Sequence, residues 1–339
     1  MNQYILVDKG DLMRRRDLVA GLASAAITWP FSAIAQSAVP RVGILFAGSE
    51  GSATSNGFIA EISEGLRNLG LNEGRDYVFE KRFAAGDYAR FPALAAELAL
   101  AGARIVLPNT IAAARAAQAL SPPLPVVLVA INDPVGTGLI ASLARPGGHT
   151  TGVATLIEDL TPKMLEYQRM LVPEAKVLGI ISNPANPSNP IMVDNFRAHA
   201  SAMGMTVRSV SLSLPGEIDA TFASLAAAKP DALHLIGDAA NVDLGDRLSA
   251  FANAQRIPLF STYPPMVEFG CLLAYGPPRR MLLVRVGYYV KRILEGSAPA
   301  DLPVEQPTQI ELWLNKKAAD ALGLTVPASL LATADKVIE

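Results

Sequence analysis

From residue 41 onward, short runs of β-branched and aliphatic residues alternate with longer alanine-rich stretches whose apolar positions recur every three to four residues. That alternation predicts parallel βα units. Strands are predicted over 42–46, 77–82, 105–108, 126–130, 177–182, 206–210, 232–236 and a short 258–260, with helices over 56–69, 91–101, 112–120, 162–171, 191–203, 218–228 and 244–254. Gly70, Gly102 and Gly204 close three of these helices, as suits the left-handed C-terminal cap. The cycle runs twice: strand 42–46 leads into a Gly/Ser loop and strand 177–182 into Asn183-Pro184-Ala185-Asn186-Pro187, each followed by the same order of elements. The simplest reading is an α/β protein of two similar lobes. Residues 146–155, with Gly147, Gly148 and Gly152, are the expected first crossing between them. A strong helix over 281–294 and an extended piece over 302–313 imply that the tail crosses back once or twice.

The N-terminus reads differently. Arg14, Arg15 and Arg16 precede an uncharged run from 18 to 35 that ends in Ala33-Ile34-Ala35, the order of a basic region, an apolar region and an A-x-A cleavage site. Residues 1–35 are therefore expected to be a removable export peptide, by the Sec or the twin-arginine route, with Met13 a candidate start. This accounts for part of the positive mean hydropathy of +0.28. No later stretch reaches the roughly 18 uncharged apolar residues of a membrane helix.

Composition narrows the function classes. With 29 basic against 31 acidic side chains, net charge −2 and 50% hydrophobic residues, the chain of 339 residues carries no electrostatic footprint for nucleic acid and too much apolar content for disorder. The lone Cys271 excludes an internal disulfide and any cysteine-based zinc cluster, and is read as a small core hydrophobe. His149, His199 and His234 stand apart, with no carboxylate or second histidine at metal spacing, so neither a metal nor a cofactor is expected. Dinucleotide, Walker A and nucleophile-elbow motifs are absent from the sequence. An export signal and two lobes without a catalytic constellation point to binding.

In doubly wound sheets, small ligands sit where loops at the carboxyl ends of strands converge. Those loops supply Ser49, Asn109, Thr110, Asn132 and Asp133 in the first half, and Asn183, Asp238, Thr262 and, further on, Tyr275 in the second. Asn109-Thr110 before an alanine-rich helix is an N-cap and equally a carboxylate site. Asp238 is either a helix cap or the partner of a ligand ammonium. Asn132-Asp133-Pro134-Val135-Gly136 is mostly turn chemistry. Tyr263 and Tyr275 either stack on a ligand or belong to the core.

The stretch Asn132-Asp133-Pro134-Val135-Gly136-Thr137-Gly138-Leu139-Ile140-Ala141-Ser142-Leu143-Ala144-Arg145-Pro146-Gly147-Gly148 closely resembles a segment of the ABC transporter substrate-binding family related to the TrpX-like tryptophan/tyrosine-binding proteins. Phe91-Pro92-Ala93-Leu94-Ala95-Ala96-Glu97-Leu98, the 300–308 tail, Ala321-Leu322-Gly323-Leu324 and the Arg-rich leader agree with it. The resemblance implies the type I periplasmic binding protein fold: two Rossmann-like lobes, 41–153 plus about 279–300 and 154–278 plus about 305–339, joined by a multi-strand hinge. It implies a monomeric periplasmic receptor that captures an amino acid or other carboxylate and delivers it to an ABC permease in the inner membrane. By that fold's logic the ligand carboxylate meets Thr110 and the amides after it, and its amine meets Asp238. Pro277-Pro278-Arg279-Arg280 stands where the family normally has an acid after Tyr-Gly. A sensor component for a membrane signalling protein, or a secreted hydrolase, are the alternatives.

Overall fold

The inner strands of the first half bury both faces, and their side chains alternate between two clusters. On β1 (Arg41–Phe46), Val42, Ile44 and Phe46 enter one cluster and Leu45 the other. This is the pattern of a parallel sheet covered by helices on both sides. The computed structural model describes residues 39–155 and 157–339, of which Val39–Glu339 form one unit. The expected leader, 1–35, and Met13 lie outside the described residues.

The first sheet has the order β2-β1-β3-β4-β5 and is parallel throughout. Its other strands are β2 (Val78–Phe83), β3 (Ala103–Pro108), β4 (Val126–Asn132) and β5 (Thr150–Thr155), and its helices include α1 (Ala53–Asn68), α2 (Phe91–Leu100) and α3 (Ile111–Gln118). The second sheet collects β6 (Val177–Ser182), β7 (Thr206–Ser211), β8 (Ala232–Leu235), β9 (Leu259–Ser261), β10 (Leu273–Gly276), β11 (Glu311–Asn315) and β12 (Lys336–Ile338) in the order β12-β11-β10-β9-β8-β6-β7. Only the β10/β11 pair in it is antiparallel. Around this sheet lie α4 (Thr161–Leu171), α5 (Ser188–Ala202), α6 (Ile218–Ala228), α7 (Ala239–Val242) and α8 (Gly245–Ala254), with α10 (Lys316–Leu322) and α11 (Ala328–Thr333) at the tail. With helices on both sheets, this is the paired α/β arrangement expected from the sequence. Among the described residues, no helix is long and apolar enough to cross a membrane.

The expected elements are present with boundaries shifted by a few residues. Helix α1 starts at Ala53 rather than 56 because the Ser52 hydroxyl accepts the Ser55 N–H. Helix α5 starts at Ser188 rather than 191, following a turn in which the Asn186 side chain accepts from the Ser188 N–H and hydroxyl. One expectation is corrected: within 146–155, Thr150–Thr155 is a fully buried strand, not a crossing. Its threonine hydroxyls are satisfied internally, Thr151 donating to the Leu302 carbonyl at 2.7 Å and Thr150 accepting from Gln118 at 2.8 Å, so polar residues survive at full burial.

The chain passes between the sheets after Thr155, after Gly276, and again between Val304 and Glu311. The second passage delivers α9 (Arg279–Leu294) back onto the first sheet, where Leu282, Leu283, Val286, Tyr289 and Val290 join the same cluster as Phe46 and Phe58. On the third, Glu305 bridges Val153 of β5 and is held by Arg285 of α9 at 2.6 Å. Helices α1 and α9 touch at backbone distance: a Cβ at Gly65 would lie 2.0 Å from the Val284 carbonyl oxygen, and one at Gly287 would lie 2.6 Å from the Gly65 carbonyl carbon.

Gly65→Ala is therefore expected to destabilise the protein. Helix propensity favours alanine by about 1 kcal/mol, but forcing the helices apart costs about 1–3 kcal/mol or more, and a contact this short places the clash ahead. Urea unfolding should show a lower midpoint than wild type; an unchanged or higher midpoint contradicts the close crossing.

Candidate functional site

The carboxyl ends of β1, β3 and β4 face those of β6, β8 and β9 across a cavity of about 960 Å³, its open mouth included. One wall is apolar and aromatic, made by Phe46, Phe58, Val129, Ile131, Leu282 and Leu283. Phe46 and Phe58 meet edge to face at 4.8 Å. The opposite wall is polar, with Asn186, Ser188, Asp238, Thr262 and Tyr263.

Asp238 follows β8 and is 3% exposed. A carboxylate so deeply buried must be solvated by protein donors. Asn183 Nδ2 donates to Oδ1 at 3.1 Å and Asn186 Nδ2 to Oδ2 at 2.8 Å, both from the loop after β6. A third donor arrives from the other sheet's side: the Tyr88 hydroxyl reaches both carboxylate oxygens at 3.0 and 2.8 Å. Burial, then the Asp238 charge, pushes the Tyr88 phenol well above its usual pKa, so it keeps its proton and donates. Tyr88 is set by the turn Tyr88–Arg90, capped by Asp87, and its ring packs on Phe91 at 5.0 Å.

On the facing side, Thr110 caps α3, its hydroxyl accepting the Ala113 N–H at 3.2 Å, while Asn109 Oδ1 accepts the Ala47 N–H at 2.9 Å and ties the β1 and β3 loops together. Asn132 Oδ1 accepts from the Thr155 hydroxyl at 3.1 Å, and its buried Nδ2 has no partner among the described residues. Thr262 Oγ1 accepts the Gly237 N–H at 3.2 Å.

Of the residues singled out from sequence, Asn109, Thr110, Asn132, Asp238 and Thr262 line the cavity. Asn183 stands behind it, holding Asp238. Ser49 is not part of the cavity lining; its N–H donates to Asp243 of the other half at 3.4 Å. Asp133 spends its carboxylate on the Gly136 N–H at 2.7 Å within its own turn, and Tyr275 packs edge to face on Tyr167 at 5.2 Å, in the core cluster rather than in the cavity. Sequence reasoning missed Phe46, Phe58, Tyr88 and Arg279. The strand-end position of Phe46 signalled it in principle; nothing local marks Tyr88.

Of the isolated histidines, His149 and His199 are exposed and His234 is structural. His234 is buried in the second sheet, stacked on Phe260 and bonded to Gln168, and burial drives it down to about 3, so it stays neutral. Cys271 is buried as a core residue. Among the described residues, no group of three or more metal-ligating side chains is found.

Residues 52–338 match the family model described as ABC transporter substrate binding protein. The chain belongs to this family. A curated tyrosine-binding protein of Clostridioides difficile (strain R20291) is 26% identical over 259 residues, 76% of this chain and 74% of that protein. The structure of an ABC domain in complex with L-Trp from Streptococcus pneumonia is 26% identical with a TM-score of 0.79, covering 88% of this chain and 99% of that one. A conserved domain protein of Vibrio cholerae gives a TM-score of 0.80 at 23% identity over the same shares, which shows the shared fold. This substrate-binding protein thus has relatives whose ligands are aromatic amino acids.

Beside the cavity, the turn Ile157–Leu160 on the first connection carries Glu158, whose buried Oε2 has no partner among the described residues. Burial, then the charges of Asp133 and Asp159, push its carboxyl up to about 7 from the usual 4.5. The folded state therefore holds this proton more tightly than the unfolded chain, and its stability falls as pH rises from about 4.5 to about 7. Calorimetry should find Glu158→Gln with a higher Tm than wild type at pH 8 and an indistinguishable one near pH 4. A variant no more stable than wild type at pH 8 contradicts this.

Proposed function

We propose that the protein is the periplasmic receptor of an ABC importer, capturing a small α-amino acid with an aromatic or large apolar side chain and delivering it to a permease in the inner membrane. The observation that carries this reading is Asp238: a buried carboxylate on the wall of a cavity whose opposite side is aromatic. A ligand ammonium would add a charged donor beside the neutral Asn183, Asn186 and Tyr88, and charge-assisted bonds are stronger than neutral ones. The ligand carboxylate meets the start of α3, where Thr110 and the following N–H groups present donors and the positive end of the helix dipole. The side chain lies against Phe46 and Phe58. The ligands named for the two relatives, tyrosine and L-Trp, have this combination of groups.

In this reading the halves, 41–153 with 279–300 and 154–278 with 305–339, act as lobes that open and close about the three connections. Residues 1–35 export the chain and are removed, and the receptor works as a monomer.

Isothermal titration with L-tyrosine and L-tryptophan tests the site. Wild type should bind at least one of them, and Asp238→Asn should weaken that binding by about 2 kcal/mol or more, as loss of a buried charge partner does. Unaltered affinity would remove Asp238 from the ligand site, and absence of binding to a broad amino-acid panel would overturn the amino-acid reading.

A further inference from the structure

Among the described residues lining the cavity, two carry a full charge, Asp238 and Arg279. Asp238 answers the ammonium of an amino acid. Arg279 has no role in that scheme, yet its position is built rather than incidental.

It is the first residue of α9, placed there by Pro277-Pro278 on the second connection. Its Nη2 donates to Glu61 Oε1 of α1 at 2.5 Å, and both side chains are largely buried, at 21% and 16% exposure. One turn earlier on α1, a Cβ at Gly57 would sit 2.9 Å from the same Nη2, so the absence of a side chain there is what lets the guanidinium lie on the helix. Glu61 and Gly57 together seat the group in one orientation. The guanidinium has five N–H donors in a planar fork. Nη2 is anchored by Glu61, whereas Nε and Nη1 have no hydrogen-bond partner among the described residues. Arg279 shares the cavity wall with Phe58, Leu282, Leu283 and Tyr263. A side chain laid along the aromatic wall therefore has an anchored donor fork within the same cavity. Because Glu61 already balances the positive charge, the fork offers hydrogen bonds more than net charge.

Resting on the amino-acid reading above, we infer that Arg279 is a specificity-determining residue that selects ligands whose apolar side chain ends in a hydrogen-bond-accepting oxygen. A phenol oxygen or a carboxylate at the far end of an aromatic ring fits; a bare ring leaves the donors without a partner in a partly desolvated site. Unpaired polar groups in the site are what give such discrimination its strength.

Titration calorimetry with L-phenylalanine, L-tyrosine and 4-carboxy-L-phenylalanine reads this directly as ratios. Wild type should bind L-tyrosine or the carboxy analogue about tenfold or more tightly than L-phenylalanine, in keeping with charge-assisted bonds, and Arg279→Met should reduce that ratio to within about threefold. Since Arg279→Met strands the Glu61 carboxylate, the double variant Arg279→Met/Glu61→Gln is measured alongside and should give the same reduced ratio. A wild type that does not discriminate, or variants that keep the wild-type ratio, overturn the inference. Absence of binding by all three ligands and by the wider amino-acid panel would instead bring down the amino-acid reading, and this inference with it.

Discussion

A carboxylate taken out of water must find its solvation in the protein, and at Asp238 that requirement organises the cleft. Two of its donors, Asn183 and Asn186, come from the turn after β6, the neighbour of β8 in the sheet. The third, Tyr88, comes from the side of the first sheet. Because the Tyr88 hydroxyl has to cross the cleft, the burial of Asp238 and the closeness of the two halves are linked. Remove the approach of Tyr88 and the carboxylate loses a partner. The loop after β6 is shaped for the same end: Asn183 and Asn186 turn their amide nitrogens to Asp238 while their oxygens accept the Ala185 and Ser188 N–H groups of the turn.

The connections between the sheets also build the site. Helix α9 arrives late in the chain yet belongs to the packing of the first sheet, held by the glycine crossing with α1 and by the Arg285–Glu305 pair on the third passage. The start of α9 also carries Arg279 into the cavity, so a passage between the sheets and a wall of the site are the same stretch of chain. A ligand that engages Arg279 thus touches a connection between the two sheets.

Much of this was legible in the sequence because it follows from periodicity and strand ends. The alternation of buried runs and alanine-rich helices pointed to the paired α/β sheets, and the carboxyl-end rule picked out Asn109, Thr110, Asn132, Asp238 and Thr262 on the cavity wall. The same rule overreached at Asp133, whose carboxylate closes its own turn, and at Tyr275, which faces a core helix. The rest depended on contacts distant in the chain. The Tyr88 hydroxyl meets a residue 150 positions away, and Arg279 meets one 218 positions away, distances at which no local pattern survives. Strand β5 reads as a linker because threonine and glycine look like one until the partners of the hydroxyls are known. Phe46 and Phe58 read as core in any sequence, and only the fold shows that one edge of that core is a cavity wall.

The most direct measurement is the crystal structure of the protein with bound L-tyrosine. The ammonium should lie about 3 Å from an Asp238 oxygen, with the carboxylate at the start of α3, the ring against Phe46 and Phe58, and Tyr88 still on Asp238 across the closed cleft. An amino acid bound with its carboxylate toward Asp238, or one seated outside this cavity, would contradict the pairing of the buried carboxylate with the ligand ammonium.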